Sequence, residues 1–192
     1  MYDIEKIRLD FPNLALKVNG KPNTFLDTAA SAQKPQEVID KIVHTYIYDY
    51  ANVHRGSYYF SEQATAEYEK ARTIIKNFIN AKQDNEIVFT RSATEAINLV
   101  ASSWGLNNLR PGDEILLSEA EHHANIVPWQ NVRDKTGCTL KFFKINDDGS
   151  FDSESFYNAL SPKVKIVGVT AMSNVLCTVF PIREIVRASH LA

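Results

Sequence analysis

The sequence predicts an α/β protein: a mainly parallel β-sheet with helices on both faces. Three observations point there. Short apolar runs of strand length recur at Glu114–Ser118, Leu140–Ile145 and Lys165–Thr170, too short for core helices. Between them lie stretches with helical spacing, and a crossover of that length is what parallel pairing requires. The Lys165–Thr170 run, KIVGVT, is continuously apolar rather than alternating, as expected of a strand covered on both faces.

Composition narrows the function classes. The 192 residues are 44% hydrophobic and 23% charged, enough for one well-buried soluble domain with a small appendage. The net charge of −2 provides no basic footprint, so nucleic acid is not an expected partner. No apolar run approaches the roughly 18 to 20 residues that span a bilayer, so no membrane partner is expected. The start, MYDIEKIRLDF, has no apolar signal region. Two cysteines, Cys138 and Cys177, make neither a disulfide framework nor a zinc motif. The expectation is a reducing cytoplasm and no metal.

The elements follow in order. Asp3–Phe11 reads as a short amphipathic helix ended by Pro12. Val18–Pro22 contains Asn19-Gly20, a turn between short extended pieces. Thr24–Asp27 reads as a brief strand and Thr28–Ala32 as a loop of small residues. Pro35–Tyr50 and Ser61–Ile79 carry apolar residues at three- and four-residue spacing and read as helices. Ile87–Phe89 is β-branched or aromatic and reads as a strand running into a helix bearing Ala96, Ile97, Leu99 and Val100. After the strand Glu114–Ser118, Ile126–Lys135 is helical with Pro128 in its first turn. Leu140–Ile145 is a strand, Asp152 caps a helix reaching Leu160, Lys165–Thr170 is a strand, and Ile182–His190 is the last helix.

In parallel sheets ligands sit outside the carboxyl ends of the strands. That rule selects three loops: Arg91–Thr94, Glu121–Asn125 and Ala171–Asn174. At the first, a helix start offers unpartnered N–H groups and a positive dipole end, a site for phosphate. Ser92-x-x-Glu95 also fits a capping box that would satisfy the same kind of donor, and the local sequence does not separate the two readings. His122 and His123 are adjacent and on extended backbone point to opposite sides. A strand-end imidazole can serve as acid/base or as a flat face for an aromatic ligand. Cys177 with His122 as its base would suit a cysteine hydrolase, although a free Cys more often behaves as a small hydrophobe. Cys138, at a strand start, reads as structural. His54-Arg55, closed by Gly56, suits either an anionic group or a solvated loop.

Five strings together carry a family resemblance: FLDTAASAQKP (Phe25–Pro35), ANVHRG (Ala51–Gly56), TRSATEAINLVASSWG (Thr90–Gly105), EHHANIVPWQ (Glu121–Gln130) and SNVL (Ser173–Leu176). They resemble the SUF-type (group II) cysteine desulfurases, which are class V aminotransferase-like enzymes of fold-type I. The resemblance implies pyridoxal 5'-phosphate as cofactor. It also implies conversion of L-cysteine to L-alanine plus persulfide sulfur for iron–sulfur cluster assembly, in a cytoplasmic homodimer that serves a sulfur-acceptor protein of the SUF system. It assigns Ala93 and Thr94 to the cofactor phosphate, His122 to ring stacking and proton transfer, and Asn174 to the ring hydroxyl. Ala29, Ala30, His54 and Arg55 fall in loops near the substrate and the dimer interface. The implied division is an N-terminal segment, 1–60, and an incomplete cofactor-binding large domain, 61–192.

Two departures from the family pattern are visible. Cys177 stands where the family has glycine. The family's Schiff-base lysine, persulfide cysteine and carboxylate-binding arginine have no counterpart before Ala192, so the expectation is an N-terminal part, truncated and inactive alone, with only four of the large-domain strands. Lys163 and Lys165 sit at the wrong end of a strand to replace that lysine. A noncatalytic remnant of the family, a selenocysteine lyase and another class V enzyme are the alternatives.

Overall fold

Strand β3 (Glu114–Ser118) is buried at every position and lies between two parallel partners. The computed structural model, which describes residues 2–192, places β4 (Thr139–Phe143) on one side of it and β5 (Val164–Gly168) on the other, in the order β4-β3-β5. Ile115 is opposite Leu140 and Ile166, and Leu117 is opposite Phe142 and Gly168. Successive side chains of a strand point to opposite faces, so β3 feeds two cores. Ile115 and Leu117 pack with Leu109, Trp129, Val132 and Cys138. Leu116 packs with Phe143, Phe156, Phe180 and Ile185. Each such fully buried side chain contributes roughly 1.5–3 kcal/mol of transfer free energy.

The helices are laid out by local signals. α1 (Ile4–Arg8) is capped by Asp3, whose carboxylate accepts the Lys6 amide at 3.0 Å. β1 (Lys17–Val18) and β2 (Lys21–Pro22) form a small antiparallel hairpin across Asn19-Gly20, both at positive φ. α2 (Gln36–His44) continues into a π-helical turn, Thr45–Asp49, and α3 (Tyr59–Phe78) is the longest helix described. α4 (Ala93–Val100) runs through a π turn, Ala101–Gly105, into the short α5 (Leu106–Asn108). α6 (Val127–Thr136) tolerates Pro128 because first-turn amides have no intrahelical acceptor. It stops at Gly137, whose φ of 74° suits glycine. α7 (Ser153–Ala159) is capped by Asp152, which accepts the Ser155 amide at 2.9 Å, and α8 (Ile182–Ser189) follows Pro181.

The chain divides into two compact units, Met1–Val88 and Phe89–Ala192. The second carries the parallel sheet, with α6 on the face of Ile115 and Leu117 and with α7 and α8 on the face of Leu116. The first carries α1–α3 and the β1–β2 hairpin. Its amphipathic stripes stay largely uncovered among the described residues: Val38, Ile42 and Val43 of α2 are all exposed.

Two expected strands are absent. Thr24–Asp27 and Ile87–Phe89 join no sheet among the described residues. Ile87 is extended and buried, but its carbonyl accepts from the Arg72 guanidinium instead of a neighbouring strand. β-propensity reports fitness for a pleated surface, and without a partner it makes no ladder. The sheet therefore has three strands rather than four. No helix among the described residues is long and apolar enough to cross a membrane.

Glu114 opens β3 as a buried carboxylate, 8% exposed. Lys141 Nζ lies 2.8 Å from its Oε1, and Ser161 donates to its Oε2 at 3.2 Å. The Lys141 hydrogen bond, helped by Ser161, holds this carboxyl below its ordinary range although burial opposes it. A carboxyl with a depressed folded-state pKa stabilises the fold above its unfolded value, about 4.3, and that increment disappears as pH falls through the lower folded value. Lys141→Met should therefore lower the urea midpoint most near neutral pH, and the gap from wild type should close on acidification. A gap constant from neutral pH to below the folded-state pKa would contradict this assignment.

Candidate functional site

The carboxyl ends of β3 and β5 carry two of the three loops that the sequence singles out, and the third, Arg91–Thr94, opens α4, which follows no strand of that sheet among the described residues. The turn at Arg91–Thr94 enters α4 with Ser92 as N-cap. Ser92 Oγ accepts the Glu95 amide at 3.2 Å, and Glu95 Oε2 accepts the Arg91 amide at 2.6 Å. Glu95 also holds the Arg91 guanidinium, at 3.1 Å. The Arg91 side chain and amide together keep the Glu95 carboxyl below the usual carboxylate range. The capping interactions thus consume the amides of Arg91 and Glu95. Those of Ala93 and Thr94, first and second in the helix, have no intrahelical acceptor, and both residues are exposed. The helix dipole adds partial positive charge at the same point.

The next loop folds as a single 3-10 turn, His123–Asn125, capped by His122. α4 lies against this turn. The Ala124 amide donates to His122 Nδ1 at 3.1 Å. Since that nitrogen accepts, a neutral His122 carries its proton on Nε2. The ring is exposed and lies 6.1 Å from that of His123 at an interplanar angle of 58°. No group of three or more His, Cys, Asp or Glu side chains among the described residues is arranged to hold a metal.

Asn174 lies in the loop after β5 with its side chain exposed. Ser173, 2% exposed, shapes that loop. Its Oγ accepts the amides of Val175 and Leu176 at 3.3 and 3.2 Å, and its carbonyl accepts the Cys177 amide at 3.0 Å. Cys177 has φ 58°, in the left-handed region, and no hydrogen bond joins it to His122 among the described residues. This is the backbone a glycine adopts freely, and an L-residue pays roughly 1–2 kcal/mol there.

The remaining expected residues belong to the Met1–Val88 unit. Ala29 and Ala30 sit exposed in a turn in which the Ala30 and Ser31 amides bond the Asp27 carbonyl. His54 has φ 60°; its amide donates to Thr65 Oγ1 and its Nε2 lies 3.0 Å from Glu69 Oε1. Arg55 is exposed beside it.

The sequence reading missed how the loops are tied together. Glu121 Oε1 accepts from Ser118 Oγ, at the end of β3, and from the Thr170 amide, just past β5, the latter at 2.8 Å. Its Oε2 accepts Asn125 Nδ2 at 2.9 Å, and Asn125 Oδ1 accepts Trp129 Nε1 at 2.9 Å. The spacing Glu121, Asn125, Trp129 was the available signal: three residues four apart, starting where a buried strand ends. Gly168 belongs to the same arrangement, because a Cβ there would stand 2.6 Å from Leu117 Cδ2 and 3.1 Å from Asn125 Nδ2. Beside it a groove of about 610 Å³ runs along β5, lined by Ile97, Val100, Trp104, Trp129 and Ile166.

The aminotransferase class-V family matches residues 24–192. The chain belongs to that family. Among its relatives is a probable cysteine desulfurase of Synechocystis sp., 51% identical over 97% of this chain and 44% of its own length. The apo structure of the cysteine desulfurase from Thermococcus onnurineus NA1 is 32% identical, with a TM-score of 0.87 over 99% of this chain and 45% of that one. The cysteine desulfurase CsdA of Escherichia coli is 34% identical, with a TM-score of 0.82 over the whole of this chain and 47% of that one. The class-V chain thus spans about half the length of the relatives it matches.

Two stability outcomes follow for this class-V site. Gly168→Ala should destabilise by about 1–3 kcal/mol, since the new Cβ would overlap Cδ2 of Leu117, a fully buried side chain that must then shift within the core; an unchanged urea midpoint would contradict the close packing. Cys177→Gly should raise the unfolding free energy by about 1 kcal/mol, read in the same titration; a loss would show that the cysteine side chain, not the backbone, governs the turn.

Proposed function

We propose that this chain is the N-terminal part of a SUF-type cysteine desulfurase that uses pyridoxal 5'-phosphate. Its reaction converts L-cysteine to L-alanine and passes the sulfur to an enzyme thiol as a persulfide, for iron–sulfur cluster assembly. The observation that carries this reading is the start of α4, where the open amides of Ala93 and Thr94 lie on a helix packed against the His122 turn.

The donor set fits the cofactor. A phosphate takes the Ala93 and Thr94 amides, the Thr94 hydroxyl and the positive end of the helix dipole. A flat heteroaromatic ring takes the exposed imidazole of His122 as its stacking partner. A ring hydroxyl takes the side-chain amide of Asn174. When bound, pyridoxal phosphate supplies the electron sink for chemistry at the substrate α-carbon. His122 can hold the ring plane and give or take a proton at Nε2, because its Nδ1 is engaged by the Ala124 amide. Lys163 and Lys165 lie at the start of β5, and Lys165 Nζ is bonded to the Pro162 carbonyl at 2.7 Å. Neither is placed to anchor the cofactor covalently, so turnover draws on a lysine and a cysteine matching the other half of the relatives.

The wider assignments belong to the same proposal. Segment 1–60 contributes Ala29, Ala30, His54 and Arg55 to the substrate and dimer loops, while 61–192 is the cofactor-binding part. The protein works as a cytoplasmic homodimer and delivers sulfur to an acceptor protein of the SUF system. The uncovered apolar stripe of α2 supports a further protein surface against it.

Coexpression of this chain with a segment matching the second half of its relatives tests the reading. The soluble pair should form alanine from L-cysteine, and Thr94→Ala should raise the pyridoxal phosphate dissociation constant about 10- to 100-fold, read by fluorescence titration. No alanine from a soluble pair, or unchanged cofactor affinity in Thr94→Ala, would overturn it.

A further inference from the structure

We propose that Glu121 is a positioning residue for His122: its carboxylate locks the His122–Asn125 turn to the ends of β3 and β5 and thereby fixes the ring's orientation and tautomer. The inference rests on the reading of His122 as the residue that faces the cofactor ring, and it concerns how the chain itself holds that imidazole.

The geometry runs through both oxygens of one side chain. Oε1 receives the Ser118 hydroxyl, on the last residue of β3 and fully buried, together with the Thr170 amide beyond β5. Oε2 receives the Asn125 side-chain amide. Asn125 is in turn fixed by the indole N–H of Trp129, which is 4% exposed and sits in the core beneath Ile115 and Leu117. The Asn125 backbone amide then donates to the His122 carbonyl at 2.8 Å, and the Ile126 amide donates to the His123 carbonyl at 3.0 Å. The backbone of His122 is therefore held from Asn125, and its ring from Ala124 in the same turn. Without the Glu121 carboxylate, the side-chain amide of Asn125 has no acceptor and the turn loses its tie to the sheet. All three donors to Glu121 are neutral, so the carboxylate acts as a three-way acceptor rather than as half of an ion pair.

The test reads the imidazole directly. The 192-residue chain is labelled with ¹⁵N-histidine and the ring nitrogens are recorded by NMR at pH 8.5, above the ordinary imidazole pKa. The His122 signals are assigned by their disappearance in His122→Gln. Wild type should show widely separated Nδ1 and Nε2 resonances, with the proton on Nε2. Glu121→Ala should reduce that separation by at least half, towards the averaged value of a free imidazole. Glu121→Gln keeps an acceptor for Ser118 and Thr170 but turns an NH₂ towards Asn125, so it should give an intermediate separation; it decides the matter if the alanine variant does not fold. Glu114→Gln, which perturbs a buried carboxylate at the other end of β3, should leave His122 unchanged. An averaged pair already in wild type, an unaltered pair in Glu121→Gln, or an equal change in Glu114→Gln would each overturn the proposal. Weak pyridoxal phosphate binding by wild type would count against the cofactor reading and leave this result standing.

Discussion

Burial of β3 on both faces is the constraint on which the parallel-sheet unit depends. A strand with no solvent face needs apolar side chains in both directions and helices on both sides to cover them. Ile115 and Leu117 face one core and Leu116 the other, and α6, α7 and α8 are the cover. The backbone of β3 is paired on both edges, by β4 and β5. Beyond Ser118 those ladders end, and the chain emerges with polar groups that side chains must satisfy. Glu121 meets that need at the carboxyl end, where the loops bearing His122 and Asn174 begin.

The same constraint explains what was legible in the sequence. The three sheet strands stood out as apolar runs; burial on both faces leaves no room for alternation in β3, whereas β4 and β5 keep exposed positions such as Phe142 and Lys165. Ile87–Phe89 had the same residue types but joins no sheet among the described residues, and composition carries no information about which segments pair. The helices were readable through spacing and caps such as Asp152. Ala93, Thr94 and His122 stood out as candidates because each belongs to a short local pattern. Glu121 was not. Its donors lie three, four and 49 positions away, and the longest of these links exists only once β3 and β5 are side by side.

At the start of α4, the capping and phosphate readings prove compatible. Ser92 and Glu95 satisfy the amides of Glu95 and Arg91, which flank the helix start, while the amides of Ala93 and Thr94 have no intrahelical acceptor. The capping pair therefore leaves the proposed phosphate cradle unfilled. A carboxylate near an anion site would ordinarily repel the anion. Here the Arg91 guanidinium, held on Glu95 at 3.1 Å, offsets that charge.

The left-handed turn at Cys177 has an evolutionary reading. Cysteine and glycine codons can differ by a single base, so the residue stands one mutational step from the one its backbone favours. The larger side chain costs no packing, because it points to solvent and displaces nothing in the core. Branched residues would meet a far steeper barrier at this φ. At this position backbone torsion, more than side-chain packing, decides which substitutions the turn tolerates.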